Sequence, residues 1–378
     1  MKSEPFVLLA AGGTGGHLFP AEALAGALAA RGIAVELVTD ERAQRYGGHF
    51  PARAIHQIPS ATPSDGSLLA RFKAILTLGI GTFAALLLLR RLRPAVLVGF
   101  GGYPTVPPVF AASLLGVPTI LHEQNAVMGR ANRFLAGRVN AIARGLPGPQ
   151  GADATIEAKS VYTGNPVRPM VAEAAKQAYP DPHADKFHLL VVGGSQGARI
   201  MSDIVPVAIA LMPEALRQRL AIVQQARGED EDRVRQAYAK LGVTAEVASF
   251  FQDLPARMAL AHLVIARAGA STVAELSVIG RPSILVPFPH AIDQDQAANA
   301  AHLAAEGGAT LVAQMDFSPQ WLASTLAAAL ANPDALVQKA EAARRSGITD
   351  AAERLADLVL RVAGPALTTL RAPTGDEA

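Results

Sequence analysis

Two kinds of apolar pattern alternate along the chain. Short runs of aliphatic and β-branched residues, without polar alternation, occur at 6–10, 35–38, 95–99, 119–121 and 140–143, and again at 187–192, 221–223, 263–266, 283–286 and 310–312. Between them lie longer stretches rich in alanine and leucine, read as amphipathic helices. Continuous apolar strands separated by helices predict parallel sheets covered on both faces, so the fold class is α/β. The same strand, glycine turn and helix begin at Phe6 and again at Phe187, a weak duplication of architecture without duplication of sequence.

The join falls near Gly164-Asn165-Pro166, where proline turns the preceding residue away from helix. Two Rossmann-like, doubly wound domains follow, over 1–164 and 165–349, with an interdomain cleft between them. Residues 370–378 lack apolar periodicity and are expected to be disordered. In such sheets ligands sit beyond the carboxyl ends of the strands, which makes the loops after strands the places to look for chemistry.

Composition sharpens this picture in three ways. With 378 residues, 50% of them hydrophobic, the chain can fill two cores of ordinary size. The absence of cysteine excludes disulfides, thiolate nucleophiles and cysteine–zinc sites and suits a reducing compartment. Glu4 and Pro5 precede a short apolar run without the features of a signal peptide, so a cytosolic location is expected. The net charge of +2 is unevenly spread: no acidic residue occurs between Asp65 and Glu123, an interval holding Arg71, Lys73, Arg90, Arg91 and Arg93 around an apolar run at 74–89. That run is shorter than the ~20 residues a spanning helix needs, so it is expected to lie on a membrane or in a core.

Three glycine loops each follow a strand: Ala11-Gly12-Gly13-Thr14-Gly15-Gly16-His17, Gly99-Phe100-Gly101-Gly102-Tyr103-Pro104 and Gly193-Gly194-Ser195-Gln196-Gly197-Ala198. A glycine loop feeding a helix offers free backbone N–H groups and a positive dipole end to an anion. The first helix is predicted to begin near Pro20. The third loop is the best diphosphate candidate, since Ser195 adds a hydroxyl donor. Asp40 stands where the ribose-binding acid of a dinucleotide site would, but the third glycine of G-x-G-x-x-G falls on Leu18, and no Walker motif occurs. His17 is a candidate general base and equally a candidate loop-packing residue. Glu275 could complete a helix cap with Ser271 or Thr272, or accept from two ribose hydroxyls. Gln296 and Asn299 are amides suited to sugar hydroxyls. Asp293-Gln294-Asp295 spells a D-x-D metal pattern, discounted because carboxylates are common in first helical turns and loop amides can neutralise phosphate; no bound metal is expected.

These motifs together resemble the lipid II-forming N-acetylglucosaminyltransferases, inverting enzymes of the two-Rossmann-domain (GT-B) fold. The resemblance runs from Gly12 to about Val362 and also rests on His122-Glu123-Gln124-Asn125 and Gly164-Asn165-Pro166-Val167-Arg168. It implies transfer of N-acetylglucosamine from UDP-N-acetylglucosamine to the C4 hydroxyl of lipid I, with His17 as candidate base. The donor contacts it implies are Thr14, Gly15, Gly16, Asn125, Arg168, Ser195, Phe251, Ala270, Ser271, Thr272, Val273, Ala274, Glu275, Gln296 and Asn299. Phe251 would line the uracil, Glu275 would hold the ribose, and Gln296 and Asn299 would read the sugar. Gln294-Asp295 replaces the Asp-His that many relatives carry, so the contact of that histidine does not transfer. A last helix near 350–364 is expected on the first domain.

A lipid acceptor implies a peripheral enzyme at the cytoplasmic face of the inner membrane. The patch is expected at Arg71, Phe72, Lys73, Ile75, Leu76 and Ile80, with 83–89 read as a buried crossover helix. No cofactor is expected, a divalent cation acting at most as a stimulant. Partners would include cell-wall synthesis proteins and no nucleic acid. The rivals are a UDP-N-acetylglucosamine 2-epimerase of the same fold, a non-catalytic binding module and, less well supported, a dehydrogenase.

Overall fold

The computed structural model describes residues 4–12, 15–41, 50–62, 67–147, 153–194, 197–289 and 295–368. The chain divides into two compact units, Met1–Arg168 with Asp350–Ala378, and Pro169–Thr349.

The first unit is built on seven parallel strands: β1 (Phe6–Ala10), β2 (Ala34–Thr39), β3 (Ala54–Gln57), β4 (Val96–Gly99), β5 (Thr119–Glu123), β6 (Ala141–Arg144) and β7 (Ser160–Tyr162). Their order is β3-β2-β1-β4-β5-β6-β7. Alternate residues of β1 face opposite cores. Val7 and Leu9 pack with Leu18, Leu24 and Leu28 of the helix Gly15–Ala29 and with Leu355 and Val359 of the helix Ala351–Ala363. Phe6 and Leu8 pack with Ala85, Leu89, Val109 and Leu135 on the other side. The chain's last long helix thus completes the first unit's core.

The second unit repeats the pattern with β8 (Phe187–Val192), β9 (Leu220–Gln225), β10 (Thr244–Ala248), β11 (Leu263–Ala266), β12 (Ser283–Leu285) and β13 (Ala309–Leu311), in the order β10-β9-β8-β11-β12-β13. Both sheets start in the middle and wind outwards in both directions. Their switch points therefore lie between β1 and β4 and between β8 and β11, where the loops after paired strands diverge and leave room for a ligand.

Five elements depart from the sequence reading. The first helix starts at Gly15, not near Pro20, and runs through that proline. Pro20 forfeits one amide bond close to the N-terminus, where the cost is small beside the burial of Leu18, Leu24 and Leu28. Strands β3, β7 and β10 carry no continuous apolar run because they lie at sheet edges and are only partly covered. The apolar segment forms a single helix, Leu68–Leu92, capped by Ser67, whose side chain accepts from the Ala70 N–H. Gly79 and Gly81 do not break it. A Cβ on Gly81 would stand 2.1 Å from the Pro59 carbonyl oxygen, so this glycine is what lets the helix lie close to that loop. The expected tail, 370–378, lies outside the described residues.

Candidate functional site

In the first unit, the carboxyl ends of β1, β4, β5, β6 and β7 are bound into one scaffold. After β1, Gly12 sits where a Cβ would come 2.9 Å from an Asp40 carboxylate oxygen and 3.1 Å from Pro104. Asp40 is therefore packed against Gly12, and Leu18 is core. After β4, Gly102 has a φ of +73°, and a Cβ there would meet the His17 imidazole at 3.2 Å. His17 thus lies in the first turn of the helix Gly15–Ala29, against the second glycine loop, with Gly15 and Gly16 preceding it. Thr14 is outside the described residues.

The β5 end supplies the fasteners. His122 is fully buried beside the Phe100 ring, 5.4 Å between centroids, and its Nε2–H donates to the Gly164 carbonyl at 3.4 Å. Burial pulls its pKa down to about 4, and repulsion from His17 acts in the same direction, so the ring is neutral near neutral pH. Glu123 accepts from the N–H groups of Asn125 and Gly129 at 3.0 and 2.9 Å and from the amides of Asn132 and Asn125 at 2.9 and 3.3 Å. Burial raises its pKa while those donors oppose the shift. Gln124 donates to the Phe100 carbonyl at 2.7 Å, and Asn165 donates to the Gln124 carbonyl at 2.9 Å. Asn125 is therefore held by Glu123 at the strand ends. Arg168, which ends the first of the unit's two chain segments, stacks its guanidinium 4.1 Å from the Phe19 ring centroid and lies near Glu22. Burial raises the Glu22 pKa, and Arg168 opposes the shift.

In the second unit, the turn after β8 is fixed by the Gly193 N–H, which donates to Gln225 at 3.0 Å; Gln225 in turn donates to the Ser249 carbonyl at 3.1 Å. A Cβ on Gly193 would strike the Ala198 nitrogen at 2.1 Å, so only glycine fits there. Ser195 lies outside the described residues. After β11 comes the helix Ala270–Ile279, whose N-cap is Gly269 with no side-chain cap. Ser271 and Thr272 are partly exposed in its first turn, beside Ala270, Val273 and Ala274. Glu275 is buried in the second turn of this helix.

Gln296 is half-buried in the first turn of the helix Asp295–Ala305 and accepts from the Phe288 N–H at 3.0 Å, tying that helix to the loop after β12. Asn299 is 0% exposed and donates to the Ala268 carbonyl at 3.2 Å, a bond that fastens its helix to the β11 loop. Phe251 is nearly buried with Arg257 4.4 Å from its ring centroid, while the exposed ring on this segment is that of Phe250.

The helix Leu68–Leu92 bears a long apolar stripe. Ala74, Gly81, Ala85 and Leu89 face inward. Leu69, Phe72, Ile75, Leu76, Ile80, Phe83 and Leu87 are exposed, with Arg71, Lys73, Arg90 and Arg91 beside them. The reading of 83–89 as a buried crossover helix is thereby corrected: Phe83 falls three and seven residues after Ile80 and Leu76, and Leu87 seven after Ile80 and four after Phe83, so both continue the exposed face. The sequence reading also passed over Arg267, although it directly follows β11, where the strand-end rule would have marked it, and Arg227 after β9.

The model of the glycosyltransferase family 28 N-terminal domain matches residues 7–144, and that of the family 28 C-terminal domain matches 188–355. A UDP-N-acetylglucosamine–N-acetylmuramyl-(pentapeptide) pyrophosphoryl-undecaprenol N-acetylglucosamine transferase of Methylobacterium sp. (strain 4-46) is 59% identical over 97% of this chain and 99% of its own length. A protein of the same name from Brucella suis (strain ATCC 23445 / NCTC 10510) is 58% identical over 96% of each. The crystal structure of Acinetobacter baumannii MurG matches with a TM-score of 0.74 at 29% identity, covering 94% of this chain and 99% of that one. The UDP-GlcNAc 2-epimerase of Neisseria meningitidis shares the fold at a TM-score of 0.65, 13% identity and 94% of this chain against 100% of its own.

Proposed function

This chain belongs to the UDP-N-acetylglucosamine–N-acetylmuramyl-(pentapeptide) pyrophosphoryl-undecaprenol N-acetylglucosamine transferases of glycosyltransferase family 28, and from that membership we infer that it transfers N-acetylglucosamine from UDP-N-acetylglucosamine to lipid I, forming lipid II for peptidoglycan. One observation carries this: the 59% identity extends over 97% of the chain, through both units, whereas likeness to the epimerase is one of fold alone.

The reaction we propose is a single displacement. The acceptor's C4 hydroxyl attacks the anomeric carbon, the bond to the phosphate oxygen breaks with its electron pair, and UDP departs from the opposite face to leave a β-linkage. His17 takes the hydroxyl proton, a role supported by its place at a helix start beside the Gly102 loop. Neutral His122 and the Glu123 hub hold those loops in place and do not themselves react. In the second unit the first turns of Ala270–Ile279 and Asp295–Ala305 present N–H groups and the Ser271, Thr272 and Gln296 side chains to the donor, with Glu275 directed to the ribose.

The acceptor's polyprenyl chain requires a lipid surface. The apolar stripe of Leu68–Leu92 with its flanking arginines and lysine supports peripheral binding to an anionic membrane, at the cytoplasmic face where the nucleotide sugar is made. A divalent cation would act as a stimulant without residing in the site, and wall-synthesis proteins are the expected protein partners. Transfer of radiolabelled N-acetylglucosamine to a short-chain lipid I analogue, with UDP release followed in parallel, tests the reading. Labelled disaccharide-lipid is expected; UDP release without it would return the chain to the epimerase reading.

A further inference from the structure

The second unit holds two guanidinium groups close enough to repel, with no carboxylate among the described residues hydrogen-bonded to either. Arg267 follows β11 and is half-buried; it donates to the Val286 and Pro287 carbonyls at 3.0 Å each and to Gln314 at 2.6 Å. Burial lowers its pKa, and the charge on Arg227 lowers it further. Arg227 lies two residues beyond β9. A Cβ on Gly197 would come 2.9 Å from its Cγ, so its stem runs against the glycine turn that leaves β8. Its Nε is buried without a hydrogen-bond partner, and the Glu229 carboxylate is 3.9 Å from Nη1, beyond hydrogen-bond range.

The neighbouring acids are otherwise engaged: Asp230 pairs with Arg233 and Glu231 with Arg235. Arg227 is also the N-cap of the helix Gly228–Lys240, an end where the dipole disfavours a cation and favours an anion. Because β9, β8 and β11 are consecutive neighbours in the sheet, the two arginines stand on either side of the β8 turn that precedes the helix Arg199–Leu211. The unbonded Arg227 Nε and the two facing like charges each cost energy in isolation and are relieved by one anion placed at the turn.

We propose that Arg227 is a further catalytic residue, binding with Arg267 the sugar-bearing phosphate of a nucleoside diphosphate sugar and stabilising the charge left on that phosphate oxygen when the glycosidic bond breaks. This rests on the donor-site reading above. It assigns Arg227 to the terminal phosphate, so its removal acts on a diphosphate and not on a monophosphate.

The test is calorimetric titration of the full chain with UDP, UMP and uridine, for the wild type, Arg227→Met and Arg227→Lys. Methionine keeps an apolar stem against Gly197, and lysine restores charge without the planar fork. For Arg227→Met, UDP affinity is expected to fall about 10- to 100-fold, the range of a charge-assisted hydrogen bond, with UMP and uridine unchanged and kcat reduced. Lysine should recover part of the UDP affinity, which loss of fold or of loop packing would not allow. Equal losses for UDP and UMP, or wild-type UDP affinity in Arg227→Met, would overturn the proposal alone. A wild-type chain that binds no UDP would overturn the donor-site reading together with it.

Discussion

Replacing Ile80 and Phe83 by serine tests the membrane reading at the point where structure and sequence part. Ile80 is 54% and Phe83 64% exposed, so neither contributes much to the protein's own core, and the melting temperature should hardly change. If the stripe enters lipid, the still-exposed half to two-thirds of each side chain becomes buried there. Full burial of such a side chain is worth ~1.5–3 kcal/mol, so each serine should cost roughly 1–2 kcal/mol of partitioning. Together the two substitutions should weaken binding about 30- to 700-fold at 1.4 kcal/mol per decade. The assay is co-sedimentation with phosphatidylglycerol-containing vesicles, alongside turnover on a long-chain and a soluble short-chain acceptor. Binding and long-chain turnover should fall while short-chain turnover persists. Leu211→Ser, at a similarly exposed position on the second unit, should change nothing. Unaltered vesicle binding in the double variant would refute the assignment of this helix to the lipid surface.

Other consequences can be checked independently. His17→Ala should depress kcat by about 100-fold or more with UDP affinity retained; near-normal turnover in a single-turnover assay would remove it from the base role. Gly145→Ala should destabilise the first unit by about 2–4 kcal/mol in urea titrations, because its Cβ would fall 1.8 Å from the Asn165 Oδ1 and break the bond to Gln124. His122 titrates at about 4 when folded and near 6.5 when unfolded, so between those values the unfolded chain holds the extra proton. Stability from this residue should therefore be intact above pH 6.5 and fall by up to about 3 kcal/mol towards pH 4, and His122→Asn should flatten that limb in pH-resolved denaturation.

The α/β class, the two starts at Phe6 and Phe187, and the central strands were legible because a strand covered on both faces must be apolar throughout, and such runs survive in one dimension. The edge strands β3, β7 and β10 were not, since a half-covered strand carries a mixed pattern that reads as loop. Glycine loops and resemblance located the strand ends, but not which neighbouring side chains turn towards them. That Asn299 is buried against the Ala268 carbonyl was not visible in the sequence, and Arg227 and Arg267 are brought to the two sides of one turn only by the order β9-β8-β11. Likewise the run 74–89 announced an apolar helix, and packing against the loop at Pro59 settled which side of it stays exposed. Apolar period and backbone freedom are properties of neighbours in sequence, so the sequence alone determined the central strands and the glycine turns that leave them. Burial, hydrogen-bond partnership and charge proximity arise between residues far apart in the chain, and those the tertiary structure alone decided.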